Sequence, residues 1–174
     1  MTGCMSGLNH YPDTMMCDGL EQLKGEHPPL LEMLDGLVTL AKRIEQDQRE
    51  EDFSALRKAV EKFLSRLEPH SEREEGVLFE MMASYIGREM GPIAVMEYEH
   101  DQAKRLIGTF LHNTKDGTSG FTVQKMNENA QLIIHANDTL VSHFAKEENI
   151  LFPMAENMLS ADEKLELAEK IKMN

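Results

Sequence analysis

The ten residues HSEREEGVLF, at positions 70–79, recur 73 positions later as HFAKEENILF, at positions 143–152. In both copies a histidine precedes a glutamate pair by four residues, and Leu-Phe follows. A Glu-His dipeptide stands upstream of each copy at the same spacing, at 26–27 and again at 99–100. Packing alone would preserve apolar positions first, whereas the best-matched positions here include histidines and carboxylates. The repeat therefore predicts two half-sites that together hold a metal cluster.

The spacing of histidine and glutamate places both side chains on one face of a helix. Residues i and i+4 lie about 40° apart around the axis and roughly 6 Å apart along it. A neutral imidazole at His70 and a carboxylate at Glu74 can therefore reach one metal or two neighbouring metals, as can His143 and Glu147. Imidazole with carboxylate suits iron, manganese or zinc rather than the softer metals that prefer thiolate.

The predicted ligand set contains four histidines and two carboxylates. This is enough for two metals, each with two imidazoles, and each carboxylate can bridge them. A single His-x-x-x-Glu is usually a surface pair, but two copies that follow a Glu-His at equal spacing are hard to reach by chance. The predicted ligands are His27, His70, Glu74, His100, His143 and Glu147.

The length, charge and hydropathy of the chain argue against nucleic-acid binding and membrane association. The chain has 174 residues, which is one ordinary domain, and a formal net charge of -13. That charge argues against binding to nucleic acid or to an anionic membrane, because phosphate recognition needs a basic surface. No apolar run reaches the roughly 18 residues of a membrane span, and residues 1–20 lack the features of a secretory signal. We therefore expect a soluble cytoplasmic protein.

Helical periodicity runs through the chain, and strand signals are absent from the pattern. We predict an all-α fold, an antiparallel up-down four-helix bundle followed by a short extra terminal helix. The predicted domain organisation is an irregular N-terminal segment (1–25), a di-metal four-helix bundle (26–158) and a short C-terminal helix (159–174). A short helical turn is predicted over 18–24, ended by Gly25, and the first long helix is predicted to begin near Pro28 and Pro29. The next three long helices are predicted over 53–86 with a kink at Pro69, over 92–112, and over 121–158 with Pro153 bending or ending the last. A Ser160–Glu163 capping box is predicted to open the short terminal helix.

These motifs resemble the bacterial hemerythrin-like (HHE) domain, which folds as a four-helix bundle around a non-haem di-iron centre. The resemblance covers about residues 26–157 and includes the ending Leu151-Phe152-Pro153. It implies two iron ions, for which manganese or zinc could substitute. Carried over by position, it implies that one iron is bound by His27 and His70, that the other is bound by His100 and His143, and that Glu74 and Glu147 bridge both.

One position departs from the oxygen-carrying hemerythrins. Those proteins have a fifth histidine four residues after the position of His100, and here that residue is Lys104. The remaining set, with two histidines for each iron, is similar to that of the iron-centre repair proteins. The run 91–96, which precedes Glu99 and His100, also resembles the sequence of those proteins. Those proteins often carry an N-terminal cysteine-bearing domain, whereas this chain has only Cys4 and Cys17 there.

Two functional interpretations follow. In the first, the protein binds or senses O2, NO or an oxidant at open iron positions. In the alternative, it is an iron–sulfur cluster repair protein, an iron donor, or an enzyme that reduces peroxide or NO. The alternative implies a protein partner that carries an iron–sulfur cluster. The residues alone leave enzyme and binding protein both open.

Several other residues are weaker candidates. Glu97 could be an additional ligand or hold one, but a solvated residue is the favoured interpretation. Glu75 and Glu148 could accept hydrogen bonds from ligand imidazoles. Because each points about 100° away from the neighbouring ligand, a surface position is favoured instead.

The remaining candidates are expected to be incidental. His10, His112 and His135 have no matching histidine in the other repeat, and His135 lies two turns before His143. Tyr98 could line the site, but helical packing is the favoured interpretation. For Lys104 a surface ion pair is favoured. Cys4 and Cys17 could be redox-active or deliver metal, but a short segment also holds cysteines without a role.

Overall fold

The computed structural model describes residues 15–173, which form α-helices joined by short links and contain no β-strand. The helices are α1 (Asp18–Asp47), α2 (Glu51–Arg73), α3 (Phe79–Ile86), α4 (Pro92–Asn113), α5 (Val123–Lys146), α6 (Phe152–Met158) and α7 (Ala161–Met173). The predicted all-α class is confirmed. None of the helices in these residues is long and apolar enough to cross a membrane.

The first helix corrects the prediction of a break at Gly25. α1 is continuous for 30 residues and contains both Pro28 and Pro29, so it runs through the predicted boundary between residues 25 and 26. The two prolines remove helical N–H donors, which normally disfavours a helix interior. Leu20 and Leu23 are fully buried, and the burial of this apolar face offsets the lost hydrogen bonds.

Two π-helical turns occupy matching places in the repeats. The turn π1 (Glu74–Leu78) joins α2 to α3, and π2 (Glu147–Leu151) joins α5 to α6. The prediction placed an irregularity at Pro69, but this proline lies inside α2 and the change of helix type comes later. A π-turn admits an extra residue and re-aims the side chains beside it, and such turns are frequent at functional sites. Each one begins at a glutamate of the predicted metal set.

Other predicted boundaries are close to those observed. The third predicted helix, 92–112, matches α4 to within one residue. The capping box before α7 is confirmed, since the Ser160 backbone N–H donates to Glu163 at 2.8 Å and the Glu163 N–H donates to the Ser160 hydroxyl at 3.3 Å. These features depend on local geometry, which the sequence pattern describes well.

The core falls into two apolar clusters, and the histidines lie between them. α1 packs against α2 and α5, α4 packs against α5, and α7 packs against α1. Along α1, His27 separates Leu23 of one cluster from Leu30 of the other, and along α4 His100 separates Met96 from Ala103. A polar layer therefore interrupts the apolar interior at one level. Such a layer costs free energy unless its groups are paired or bind a ligand.

Candidate metal centre

The six predicted residues converge in this polar layer. His27, His70, His100 and His143 come from α1, α2, α4 and α5, and Glu74 and Glu147 open the two π-turns. All six side chains are at most 1 % exposed. The structure thus brings together, in the interior, residues that span more than 100 positions of sequence.

Each of the two glutamates lies between two imidazoles. The Oε1 and Oε2 atoms of Glu74 lie 3.2 Å and 3.5 Å from the Nε2 atoms of His70 and His100. The Oε1 and Oε2 atoms of Glu147 lie 2.9 Å and 3.2 Å from the Nε2 atoms of His143 and His27. One histidine in each trio belongs to the same repeat as the glutamate, and the other belongs to the opposite repeat.

These contacts form two overlapping groups, each with ligand atoms within 4.8 Å of one another. We call them the first and the second half-centre. The first half-centre contains His27 and His70, the second contains His100 and His143, and both contain Glu74 and Glu147. Carboxylates common to two groups can bridge two metals.

The unpartnered atoms of the centre show that a metal fits. The Nε2 atoms of all four histidines and both carboxylate oxygens of Glu74 and Glu147 are buried without a hydrogen-bond partner among the described residues. Buried groups of this kind are costly, and native proteins rarely leave them unsatisfied. Nitrogen and carboxylate donors suit iron, manganese and zinc. The donor set is therefore that of a metal centre, and two cations would satisfy its unpartnered atoms.

The outward-facing nitrogens of the histidines are all held by carboxylates. The Nδ1–H of His70 donates to Glu26 at 2.7 Å, and that of His143 donates to Glu99 at 3.1 Å. An ionised carboxylate only accepts, so in a neutral, metal-binding imidazole each contact places the proton on Nδ1 and leaves the Nε2 lone pair facing the centre. Glu26 and Glu99 belong to the recurring Glu-His dipeptide, and sequence reasoning gave them no role.

The other two carboxylates come from the opposite repeat. The Nδ1–H of His27 donates to Glu148 at 2.8 Å, and that of His100 donates to Glu75 at 2.7 Å. The favoured prediction that Glu75 and Glu148 are surface residues is therefore wrong. Their side chains are only about 30 % exposed, at 30 % and 32 %. Their recurrence in both repeats was the available signal, but the helical wheel of one repeat does not show a partner on another helix.

Aromatic rings cover the histidines in a similarly crossed way. The motif residue Phe152 stacks near His27 with ring centroids 5.6 Å apart, and its counterpart Phe79 stacks near His100 at 6.2 Å. Phe144 also stacks on His27, at 4.4 Å. These rings keep water from the imidazoles, which strengthens electrostatic interactions within the centre.

The buried histidines and carboxylates of the centre shift one another's pKa values. Burial disfavours a charged His70, but the carboxylate of Glu74 and the hydrogen bond to Glu26 outweigh it and raise the pKa of His70 to about 10. Burial also opposes ionisation of Glu74, yet charged His70 lowers the pKa of Glu74 to about 2. Burial, followed by the charge of Glu74, raises the pKa of Glu147 to about 7. Two adjacent buried carboxylates do not both ionise without a compensating charge.

The weaker candidates lie outside the two half-centres. Glu97 forms a salt bridge with Arg88 and belongs to neither half-centre. His112 and His135 are exposed, and the exposed Tyr98 does not fit the predicted helical packing. Cys17 lies at the start of α1, where its backbone N–H donates to Glu156 at 2.7 Å. Cys4 and His10 lie outside the described residues.

Lys104 occupies the position of the fifth histidine of the oxygen carriers. Its Nζ lies 3.5 Å from Oε1 of Glu75, the oxygen that also accepts from His100. The favoured prediction of an ion pair is confirmed. Its partner, however, is Glu75, the carboxylate that accepts a hydrogen bond from His100 of the second half-centre.

Comparison with known proteins gives a consistent assignment. The family model described as the hemerythrin HHE cation-binding domain matches residues 18–155. The iron–sulfur cluster repair protein YtfE of Escherichia coli O157:H7 is 35 % identical over 132 residues, which are 71 % of this chain and 58 % of that protein. The protein of the same name from Escherichia coli O81 (strain ED1a) gives the same identity and coverage. The chain thus spans little more than half the length of these relatives, and no solved structure matches significantly.

Proposed function

Because the chain belongs to the hemerythrin HHE cation-binding domain family, we propose that it holds a non-haem di-iron centre and serves in the repair of iron–sulfur clusters. The observation that carries the proposal is the set of eight unpartnered, buried ligand atoms on four histidines and two glutamates. The relatives named for cluster repair favour this function over the first interpretation drawn from the sequence, binding or sensing of O2, NO or an oxidant.

The proposal assigns a role to each residue of the half-centres. One iron would be held by His27 and His70, the other by His100 and His143, and Glu74 and Glu147 would bridge the two. The support is the placement of each bridging carboxylate between two imidazoles. Manganese or zinc would fit the same donors, so the preference for iron rests on the family and on the named relatives.

The proposal extends to the arrangement of the helices. We propose that four helical segments form an antiparallel up-down bundle: α1, α2–π1–α3, α4 and α5–π2–α6. The bundle would end at residue 158, and α7 would be the short terminal helix. Their pairwise packing and short links support this arrangement. It would place one histidine from each segment at one level of the core.

Bound iron would supply redox chemistry. It would also be a source of iron for an iron–sulfur cluster that has lost an iron ion. The chain would supply the environment. We call the carboxylates that accept from the histidine Nδ1 atoms the outer carboxylates; they belong to Glu26, Glu75, Glu99 and Glu148. They hold each imidazole with its Nε2 toward the centre and make it a stronger electron donor to a metal, and the phenylalanines exclude water. The partner would be a protein with an iron–sulfur cluster damaged by an oxidant or by NO.

The test is cluster repair in a defined mixture. The full chain, loaded anaerobically with two ferrous ions, is incubated with a dehydratase whose [4Fe–4S] cluster has lost an iron through peroxide treatment. We expect recovery of dehydratase activity beyond that given by the same amount of free ferrous iron. No recovery above the free-iron level would contradict cluster repair.

Variants separate the centre from the rest of the surface. Glu147→Ala should abolish the recovery, because the missing carboxylate is common to both half-centres. Lys170→Met is the control, since it changes an exposed residue of α7 that pairs with Glu166. Equal repair by both variants would show that the centre is not involved.

A further inference from the structure

Arg88 lies in the link between α3 and α4 and contacts three parts of the structure. Its Nε–H donates to Oε1 of Glu97 in α4 at 2.7 Å, and its Nη1 pairs with Glu80 in α3. Its Nη2 donates to the backbone carbonyl of Glu75 in π1 at 3.4 Å. A single, partly buried cation therefore joins π1, α3 and α4.

The backbone of this link brings Arg88 back to the helices that it joins. The link spans 87–91, and a glycine with positive φ stands at each end, Gly87 at 75° and Gly91 at 85°. Residues other than glycine rarely adopt such angles. The Gly87 N–H also donates to the carbonyl of Ala83 at 2.9 Å, which ends α3. The two glycines thus allow the chain to reverse within five residues.

The elements that Arg88 joins are the ones that meet at a histidine of the second half-centre. π1 carries Glu75, whose Oε1 accepts from Nδ1 of His100 at 2.7 Å, and α4 carries His100 itself. Glu97, the partner of Arg88 on α4, precedes His100 by three residues, which is less than one helical turn. The contacts of Arg88 therefore span the same gap between π1 and α4 as the hydrogen bond from His100 to Glu75.

That hydrogen bond depends on the spacing of the two elements. A hydrogen bond of this type needs its heavy atoms about 2.7–3.2 Å apart. The turn that carries Glu75 is a π-helix, an uncommon helix type found mostly as single turns. Lys104 contacts only the carboxylate of Glu75, at 3.5 Å from Oε1, whereas Arg88 contacts the backbone of the turn. Arg88 is therefore placed to fix the turn itself.

The charges around Arg88 support this role. Glu80 and Glu97 lie on different helices, and both bring a carboxylate to the same guanidinium. Across residues 15–173, neither of them has another lysine or arginine within salt-bridge distance. The rigid fork of an arginine can hold several acceptors at once. Without Arg88 the two carboxylates would repel each other, which would favour the separation of α3 from α4.

We infer that Arg88 is a positioning residue of the metal centre, which holds π1 at the distance from α4 at which Glu75 accepts from His100. This inference rests on the proposed metal centre and deepens it, because it adds a residue that orients a ligand without contacting one. Glu97, a candidate ligand in the sequence, contributes as the partner of Arg88 on α4.

The experiment follows the imidazole Nδ1–H protons of the full chain by NMR. Zinc suits the same donors and is diamagnetic, so protein loaded with two zinc ions is used. We expect four protected Nδ1–H signals, one from each ligand histidine, because each of these groups donates to an outer carboxylate. The rate at which each proton exchanges with deuterated solvent measures the opening of that contact alone.

Arg88→Met should accelerate exchange of the His100 proton by roughly tenfold or more, as expected when a hydrogen bond to a charged group is lost from the closed state. The protons of the other three ligand histidines should keep their rates. Glu97→Met removes the partner of Arg88 on α4 and should accelerate the same proton. This second variant decides the matter if Arg88→Met does not fold.

Arg57→Met is the matched control. Arg57 also donates to a backbone carbonyl, that of Leu111 at 2.6 Å, and so joins α2 to α4, but it precedes His70 by 13 residues. Its loss should not accelerate the His100 proton selectively. Equal acceleration of all four protons by Arg88→Met, or an unchanged His100 proton, would overturn the inference. Absence of the four protected signals from the unaltered zinc-loaded protein would instead contradict the proposed centre.

Discussion

His27 on α1 donates its Nδ1–H to Glu148 at 2.8 Å, although 121 residues separate them in sequence. The two residues belong to different repeats, and the matched contact between His100 and Glu75 crosses in the opposite direction. Each repeat therefore orients a histidine of the other. The second glutamate of each motif therefore serves the histidine of the opposite repeat.

Removing an outer carboxylate should weaken metal binding without removing a ligand. Glu148→Ala is expected to lower metal affinity by roughly 10–100-fold, because His27 loses the group that fixes its orientation and increases its basicity. Competition with a chelator of known affinity measures the change. Glu166→Ala is the control, since Glu166 is an exposed residue of α7 that pairs with Lys170 and lies outside the centre. Equal affinities for the two variants would contradict the role of Glu148.

The ligand histidines should differ sharply from the others on substitution. His143→Ala should severely reduce metal content, and Glu74→Ala should affect both metals because its oxygens face His70 and His100. His135→Ala should leave about two metals per chain, since His135 is exposed. Elemental analysis of the purified variants measures the ratio. Loss of metal from His135→Ala but not from His143→Ala would exclude the proposed ligand set.

Metal removal should destabilise the fold. A ligand that binds only the folded state adds roughly 2.7 kcal/mol when its concentration is 100 times its Kd. Without metal, the eight ligand atoms remain buried and unpartnered. We expect a clearly lower Tm after chelation, measured by circular dichroism, and recovery on adding ferrous iron. An unchanged Tm in protein verified to be metal-free would argue against a buried centre.

Acid should release the metal. Histidine binds metal through a neutral nitrogen, so protons compete increasingly below about pH 6.5, the ordinary pKa of the side chain. Metal content after equilibrium dialysis should therefore fall as the pH is lowered through this value. Full occupancy about two pH units below it would point to ligands other than histidine.

Glu147 should make the metal-free fold less stable as the pH rises from about 4.5 to about 7. Burial and then the charge of Glu74 raise the pKa of Glu147 from 4.5 to about 7. The folded chain thus keeps a proton that the unfolded chain loses near pH 4.5, so the stability from this group is full below pH 4.5 and is lost as the pH rises through about 7.

Glu147→Gln isolates this effect, because glutamine resembles the protonated acid and does not titrate. Without metal, the variant should be more stable than the unaltered protein above pH 7, by roughly 3 kcal/mol, and the difference should vanish near pH 4.5. Urea unfolding at several pH values measures it. A difference independent of pH would contradict a raised pKa at Glu147.

Local geometry explains what the sequence could predict. Residues four apart share a helical face, so His70 with Glu74 and His143 with Glu147 were recognisable as pairs, and the 73-residue offset connected the two pairs. The capping box at Ser160 was predictable for the same reason. Each of these features involves side chains within one turn of helix.

Other features were decided only when the helices packed together. The continuity of α1 through Pro28 and Pro29 depends on the burial of its first turns, which local propensity does not describe. The π-turns at Glu74 and Glu147 were likewise not evident from helical periodicity.

The contacts between the two repeats show which features local sequence predicts and which depend on the packing of helices. On a helical wheel, Glu75 and Glu148 point away from the adjacent ligands Glu74 and Glu147, and this predicted that their side chains lie at the protein surface. In the folded chain their partners His100 and His27 come from other helices. The sequence by itself determined which side chains could coordinate a metal, because that depends on residue type and local spacing. The tertiary structure decided which carboxylate holds which imidazole, and that only one is shared with Lys104, because these contacts join residues that only folding brings together.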